Sequence, residues 1–321
     1  MRTLEVFVER WPIAGTFTIS RGSRTEAVVV VVRVRDGNHA GEGECVPYAR
    51  YGESIDSVVA QIKAAVPQVE GGVSRHGLVH ALPAGAARNA IDCALWDLEA
   101  NATGKALFQL AGTPAPTRLL TAYTLSLADP QTMFAAAAKA AARPLLKIKL
   151  GGVGDPERLA AVRRAAPRAR LIVDANEAWR PETLATNLAA CEAAGVELVE
   201  QPLPAGEDGA LAGVTTRIAI CADESIHDHA SLGHLPPWYS AINIKLDKTG
   251  GLTDALQLLK AARERGLKMM IGCMLGTSLA MRPALTLAEG AEFVDLDGPL
   301  LLARDRDNAL RFEGSYILPP S

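Results

Sequence analysis

Apolar and polar residues alternate at the start of the chain in the manner of a half-buried strand: Leu4, Val6 and Val8 point one way, with charged or polar neighbours between them. A second run, Ala27 to Val34, is followed by Asp36-Gly37-Asn38. That trio predicts a tight turn into a third strand from Ala40 to Cys45. From Ser54 to Val69 the period becomes helical. Pro83 to Ala100 predicts another helix, with Ala90, Ile91, Ala94, Leu95 and Leu98 on one face. Strands followed by helices predict an α+β unit over residues 1–115. Beyond it, eight short apolar runs alternate with Ala- and Leu-rich helical segments. The runs are Leu119–Leu127, Leu145–Leu150, Leu171–Asp174, Val196–Glu200, Ile218–Ala222, Ala241–Leu246, Met269–Cys273 and Glu292–Leu296. Near-continuous apolar strands separated by helices imply a parallel sheet covered by helices, and eight units fit a (β/α)8 TIM barrel over residues 116–300. The fold class expected is therefore α/β, a modified (β/α)8-type barrel with an N-terminal α+β capping domain. Residues 301–321 include two strand-like stretches, Asn308–Phe312 and Tyr316–Leu318, expected to return to the capping domain.

Composition narrows the classes of function. The chain has 321 residues, 49% hydrophobic, with a net charge of −3, and shows no basic stripe, which argues against a nucleic-acid partner. No apolar run approaches the length of a membrane span, and the first ten residues read as a strand and not as a signal peptide. Five scattered cysteines (Cys45, Cys93, Cys191, Cys221 and Cys273) form no CxxC pair, so a reducing cytoplasm is the expected setting. A homo-oligomer is left open.

Barrel enzymes carry their chemistry at the C-terminal ends of the strands. Here those ends hold Lys147-Ile-Lys149, Asp174, Glu200, Asp223, Lys245 and Asp295-Leu-Asp297. One acid alone would cap the following helix. Three acids, Asp174, Glu200 and Asp223, on successive strands repel one another unless a cation sits among them, and an all-oxygen ligand set suits Mg2+. Lys147 and Lys149 are two residues apart on one strand, so both face the barrel interior. Beside a metal and a second lysine, such an ammonium is expected to release its proton more easily and act as a base. Lys245 lies four strands around, across the mouth from Lys149. Two opposed bases can take a proton from one face of a carbon and return it to the other, which is racemisation or epimerisation. Asp295 and Asp297 share a face and call for another cation, such as a substrate ammonium. Gly151-Gly152-Val153-Gly154 reads as a turn, His227 and His229 as exposed loop residues, and the stretch Ala90–Asp97 as a packed helix.

At these residues the chain resembles the enolase superfamily and, within it, the muconate-lactonising subgroup. That subgroup has Lys-x-Lys on the second barrel strand, three metal acids on the next three, and a lysine on the sixth. The seventh strand ends Ile271-Gly-Cys-Met274, without the histidine of the mandelate-racemase-like subgroup. The likeness is closer still to the L-Ala-D/L-Glu dipeptide epimerases, through Arg21-Gly-Ser-Arg24, Gly43-Glu-Cys-Val-Pro-Tyr48, Leu82-Pro-Ala-Gly-Ala-Ala-Arg88 and Asp295-Leu-Asp-Gly-Pro299. The resemblance implies Mg2+ on Asp174, Glu200 and Asp223, and Lys149 and Lys245 as the acid–base pair working through an ene-diolate. It implies that Asp295 and Asp297 hold the α-ammonium of a small dipeptide, that Arg24 faces its Glu side chain, and that Thr124, Lys147 and Cys273 line the substrate. It implies that the N-terminal unit caps the barrel mouth with loops at Phe17–Arg24 and Pro47–Gly52, and it implies a part in murein peptide recycling. A sister dipeptide epimerase, an N-acylamino acid racemase, a cycloisomerase or a dehydratase shares the same half-reaction. The acidic pair argues against N-acylated substrates. A Schiff-base aldolase is the reading from another class, because a barrel lysine can also form an imine.

Overall fold

The computed structural model describes residues 1–319; Pro320 and Ser321, which fall in the C-terminal segment, lie outside the described residues. β1 (Thr3–Ile19) and β2 (Gly22–Asp36) form a long antiparallel hairpin, and β3 (His39–Cys45) pairs with the other side of β2. The valine run of β2 is buried on both faces. Val30, Val32 and Val34 pack with Val58, Ile62 and Ile91 of two helices, Ile55–Ala64 and Ala86–Thr103. Val29 and Val31 turn the other way, onto Val46, Met274 and Leu279. An unbroken apolar run is thus a strand sandwiched between the capping helices and the barrel, its successive side chains serving opposite cores.

β3 lies directly on the helix Ala86–Thr103. A Cβ at Gly41 would fall 2.1 Å from the Leu98 amide nitrogen, and one at Gly43 would fall 2.2 Å from the Ala90 carbonyl oxygen. Only glycine allows backbone to meet backbone so closely.

The segment Phe17–Arg24, expected as a loop, is instead the paired end of the hairpin, with Phe17 opposite Arg24 and Ile19 opposite Gly22. Its side chains lack an apolar alternation because this end leaves the sheet's core and runs out over the barrel mouth. There the Leu127 amide donates to Thr18 O at 2.9 Å, and Ser20 Oγ donates to Asn176 O at 3.0 Å.

The barrel consists of β5 (Tyr123–Leu125), β6 (Leu145–Lys149), β7 (Arg170–Asp174), β8 (Val196–Glu200), β9 (Ala219–Ala222), β10 (Ala241–Ile244), β11 (Lys268–Gly272) and β12 (Phe293–Asp295), adjacent in that order and all parallel. The circle closes between β5 and β12 through the Ala122 amide to Val294 O at 2.8 Å and the Leu296 amide to Thr121 Oγ1 at 2.8 Å. All eight expected strands are present, but the first run is broken. Before β5, β4 (Leu119–Leu120) pairs instead with the chain's end, in a sheet ordered β13 (Phe312–Glu313), β14 (Tyr316–Ile317), β4. The C-terminal segment therefore divides. Leu302 bridges to Ile13 and Ala303 donates to Pro12 O on the capping side, whereas β13 and β14 sit at the N-terminal end of the barrel. Among the described residues, no helix is long and apolar enough to cross a membrane.

Inside the barrel, chemistry is layered. Ala122, Leu145, Ile172, Leu198, Cys221, Ala241, Met270 and Phe293 pack the lower interior. Two residues further along the strands, the same inward face carries Lys147, Asp174, Glu200, Asp223, Asn243 and Asp295, all buried. The two-residue period of a strand thus lifts a polar layer onto an apolar plug.

Candidate active site

The polar layer is a lattice of opposite charges. Lys147 Nζ lies 2.6 Å from Asp295 Oδ2, 2.7 Å from Glu200 Oε2 and 3.4 Å from Asp174 Oδ2. Lys149 Nζ donates to Asp174 Oδ2 at 2.6 Å, and Lys245 Nζ donates to Asp223 Oδ2 at 2.6 Å. Three acids predicted from sequence and three lysines predicted from sequence are therefore brought together, each acid touching at least one ammonium.

The electrostatics follow from burial and pairing. Burial alone would lower Lys147, but Asp295, Glu200 and Asp174 outweigh it and hold the ammonium well above its usual value. Lys245 is held up in the same way by Asp223 and Glu200 against burial. For these two lysines the carboxylates in contact outweigh both burial and the like charges. Burial resists ionisation of Asp174 and Asp223, yet the neighbouring lysines keep both well below the usual carboxylate range. Glu200 goes the other way, pushed up to about 7 by burial and by Asp174.

No trio of His, Cys, Asp or Glu side chains is already gathered around one point among the described residues; ammonium groups lie between the acids instead. The donors nonetheless fit a hard cation. Buried side-chain oxygens without a hydrogen bond include Asn176 Oδ1, Glu200 Oε2, Glu224 Oε2, Asn243 Oδ1 and Asp295 Oδ1, and all five belong to the mouth. Glu200 Oε2 is close to Lys147 as an ion pair but receives no hydrogen bond. Five buried acceptors lacking donors describe a place built for positive charge or for hydrogen-bond donors.

The reactive groups face two small connected cavities. One, of about 80 Å3, is lined by Arg24, Tyr48, Lys149, Asp223, Lys245 and Cys273. The other, of about 40 Å3, is lined by Thr124, Lys147, Lys149, Lys245, Asp295 and Asp297. The wider outer groove beside Tyr123, Lys139 and Arg143 is lined by the latter two cations and, among the described residues, by no acid. Lys149 and Lys245 line both inner cavities, and Phe17 from the hairpin roofs them.

Around this floor the other expected residues fall as follows. The Thr124 amide donates to Asp297 Oδ2 at 2.6 Å, so the first and eighth strands meet through the acid itself. Burial and Asp295 push the Asp297 carboxyl up to about 7. Cys273 Sγ donates to Asp295 O at 3.3 Å, and burial raises the thiol well above its usual value, as expected of a wall residue and not of a nucleophile. Asp295 is half committed: Oδ2 accepts from Lys147 and Oδ1 remains open. The Arg24 guanidinium sits 5.8 Å from the Tyr48 ring centroid on the exposed hairpin. Its neighbour Arg21 is fully occupied, donating to Glu224 Oε1 at 2.8 Å, Tyr48 Oη at 2.9 Å and Asn176 O at 3.0 Å. His229 is exposed, as expected, whereas His227 is half-buried with its ring 4.6 Å from that of Tyr51, which corrects the reading of His227 as an exposed loop residue.

Several contributors went unnoticed in the sequence. Asn243 Nδ2 donates to Glu200 Oε1 at 2.6 Å; its place two residues before Lys245 on the same strand face was the available signal. Lys248 donates to Asp223 Oδ1 at 2.5 Å, and the signal was its position one turn beyond Lys245. Arg21, Glu177 and Glu224 tie the hairpin to the barrel and offered no pattern in one dimension. Asn176, Glu177 and Gln201 adopt left-handed backbone (φ 45°, 65° and 33°) immediately beyond the acids of β7 and β8. Such conformations cost about 1–3 kcal/mol each and survive only where their surroundings enforce them. Here the Glu177 amide donates to Gln201 O, and Gln201 Oε1 accepts from the Asp223 amide at 2.9 Å.

Similarity to known proteins runs along almost the whole chain. Residues 1–112 match the family described as mandelate racemase / muconate lactonizing enzyme, N-terminal domain, and residues 132–321 match enolase C-terminal domain-like. The L-Ala-D/L-Glu epimerase of Escherichia coli (strain K12) is 50% identical over 97% of this chain and 98% of its own length. An N-acetyl-D-glutamate racemase of Pseudoalteromonas sp. is 43% identical over 91% of this chain and 93% of its own. A crystal structure of an enolase family member from Agrobacterium tumefaciens, with homology to dipeptide epimerases and with bound sodium and L-Ala-L-Glu, superimposes with a TM-score of 0.98 at 53% identity, covering 100% of this chain and 98% of that one.

Proposed function

The chain belongs to the mandelate racemase / muconate lactonizing enzyme family of the enolase superfamily, and from that membership we propose that it is an isomerase epimerising L-Ala-D-Glu and L-Ala-L-Glu by proton transfer between two lysines. The observation that carries this reading is that Lys149 and Lys245, four strands apart, line the same small cavities above a carboxylate floor. Half-identity to a dipeptide epimerase over nearly the full length supports the substrate.

In the proposed reaction the substrate carbon between carboxylate and amide nitrogen lies between the two ammonium positions. The neutral lysine of the pair takes the α-proton from its own face and becomes an ammonium. The other, already protonated, gives its proton to the opposite face and becomes neutral, so the pair ends with one proton as it began. Lys147 places its charge beside the substrate carboxylate as electron density accumulates there in the ene-diolate. Asp174, Glu200 and Asp223 would hold Mg2+, which would supply Lewis-acid stabilisation of those oxygens. The open Oδ1 of Asp295 and the Asp297 carboxyl accept hydrogen bonds from the substrate's amino end. Arg24 meets the γ-carboxylate, free to do so because Arg21, and not Arg24, carries the hairpin's ties. The hairpin end covers the cavities and limits water.

A second reading rests on a specific observation. Lys147 already neutralises half of Asp295, and a relative at 43% identity racemises N-acetyl-D-glutamate, so N-acylglutamates are candidate substrates despite the acidic pair.

Incubation of each dipeptide epimer in D2O tests both readings by mass spectrometry. The expected result is α-deuterium in the glutamyl residue of L-Ala-Glu, with N-acetylglutamate exchanging more slowly; faster exchange of N-acetylglutamate favours the second reading. Lys149→Ala is expected to abolish epimerisation yet leave exchange from one epimer, and Lys245→Ala to show the mirrored preference. Equal residual exchange from both epimers would overturn the two-base mechanism.

A further inference from the structure

Asp223 is gripped from two sides. Lys245 Nζ donates to Oδ2 at 2.6 Å, and Lys248 Nζ donates to Oδ1 at 2.5 Å. The two lysines are unlike. Lys245 lines the cavities, whereas Lys248 is fully buried and its ammonium is saturated, with its remaining bonds to Asp223 O at 2.6 Å and Asn243 O at 2.8 Å. Three hydrogen bonds are the capacity of an ammonium, so Lys248 has none left for substrate.

Local structure puts both lysines on one carboxylate. β10 ends at Ile244, and Lys245 caps a single-turn helix, Leu246–Thr249, in which the Lys248 and Thr249 amides donate back to Lys245 O at 3.0 Å. One helical turn stacks residue i+3 over residue i, so the second lysine returns to the acid the first one touches. The turn is pinned from the capping domain. Arg88 donates to Thr249 O at 2.6 Å and Gly250 O at 3.1 Å, and Asp247 Oδ1 accepts from the Val46 amide and Asn89 Nδ2, each at 2.9 Å.

We infer that Lys248 is a positioning residue that divides the two oxygens of Asp223, fixing Oδ1 so that Oδ2 is presented to Lys245 and the mouth. A carboxylate with both oxygens free can rotate and take its partner ammonium with it; one locked at Oδ1 cannot. Lys149 is held by Asp174, whose Oδ1 accepts from the Asn176 amide at 2.8 Å and whose Oδ2 also lies 3.4 Å from Lys147, so its setting does not depend on Lys248. Lys248 therefore supports one catalytic lysine and not the other, and the effect of losing it is lopsided.

The inference rests on the two-lysine reading above, and solvent exchange separates the two. In D2O, wild-type protein exchanging neither epimer sinks the two-lysine reading and this inference with it. Given wild-type exchange, and with Mg2+ at saturating concentration, Lys248→Met is expected to slow exchange of the epimer served by Lys245 by about 10- to 100-fold, while that served by Lys149 changes less than about 3-fold. Lys248→Arg, which keeps the charge and donors, is expected to recover part of the loss. Equal slowing of both epimers, or no slowing, in protein with a native circular dichroism spectrum overturns the inference. Mn2+ titration followed by electron paramagnetic resonance gives a second readout without substrate. If Lys248 positions Asp223, Lys248→Met weakens Mn2+ binding by about 10-fold; if it tightens binding, Lys248 is only a repelling charge and the inference fails. Should the Met variant not fold, Lys248→Arg and Lys248→Gln carry the same comparisons.

Discussion

The floor of the barrel mouth and the hairpin above it are built on opposite principles. On the floor Lys147, Lys149, Lys245, Asp174, Glu200, Asp223 and Asp295 are buried and charge-paired, and the groups sit at strand ends whose backbone is fixed by neighbours on both sides. Over it, the hairpin end from Arg21 to Glu26 is exposed and tied down by a few polar contacts through Ser20 and Arg21, leaving Arg24 without a carboxylate partner among the described residues. In the proposed reaction the difference separates tasks: a proton-transfer floor expected to tolerate little change, and a substrate-reading rim expected to be alterable without disturbing it.

The most severe way to break the floor is to remove an acid. Asp223→Asn or Glu200→Gln is expected to cut kcat/KM by roughly 10^3-fold or more, since metal and charge stabilisation at such sites contribute several kcal/mol. Added Mg2+ should restore little. Full turnover by metal-stripped protein in chelator would remove the metal from the account. At the rim, an unpaired γ-carboxylate should cost roughly 2–4 kcal/mol, or about 30- to 1000-fold in kcat/KM. Arg24→Met is therefore expected to lose that much with L-Ala-L-Glu and little with L-Ala-L-Met. Asp297→Asn should harm both, because both carry the ammonium. Equal handling of the two dipeptides by Arg24→Met would sever the rim from specificity and leave the floor intact.

The smallest effect concerns the joint between the two regions. Burial pushes the Asp247 carboxyl, at the turn below Val46, up to about 7. An acid that holds its proton more tightly folded than unfolded costs stability as pH rises from its unfolded value, about 3.9, to its folded one. This contribution should lower wild-type Tm progressively across roughly pH 4–7. In Asp247→Asn, whose amide oxygen can still accept from Val46 and Asn89, that fall should flatten; identical profiles would show that Asp247 does not set it.

The floor was legible in sequence because its residues interrupt apolar strands at the one end where a polar group is costly unless used. Lys147, Lys149, Asp174, Glu200, Asp223 and Lys245 stood out for that reason. The rim was less so. Phe17–Arg24 read as a loop because a strand with a cavity below and solvent above has no apolar face to alternate. Leu119–Leu127 read as one strand because pairing partners far along the chain, Tyr316 and Ile317, divide it. Lys248 was invisible because a lysine in a turn normally faces water, and only the third dimension turns it inward. Arg21 and Arg24 look alike in sequence, and their separate duties emerge from which acids lie within reach.

Gly41 and Gly43 give this division a mechanical side. They sit opposite Val34 and Val32 of β2, the strand whose far end carries Arg24. Eight residues of strand from Val32 to Arg24, at about 3.4 Å each, make an arm of roughly 27 Å. The glycine contact with the helix is the fulcrum of that arm. A methyl group there would lift the sheet, and the arm would magnify the tilt at its tip. If Arg24 reads the substrate as proposed, two absent side chains a full domain's thickness away help to place it.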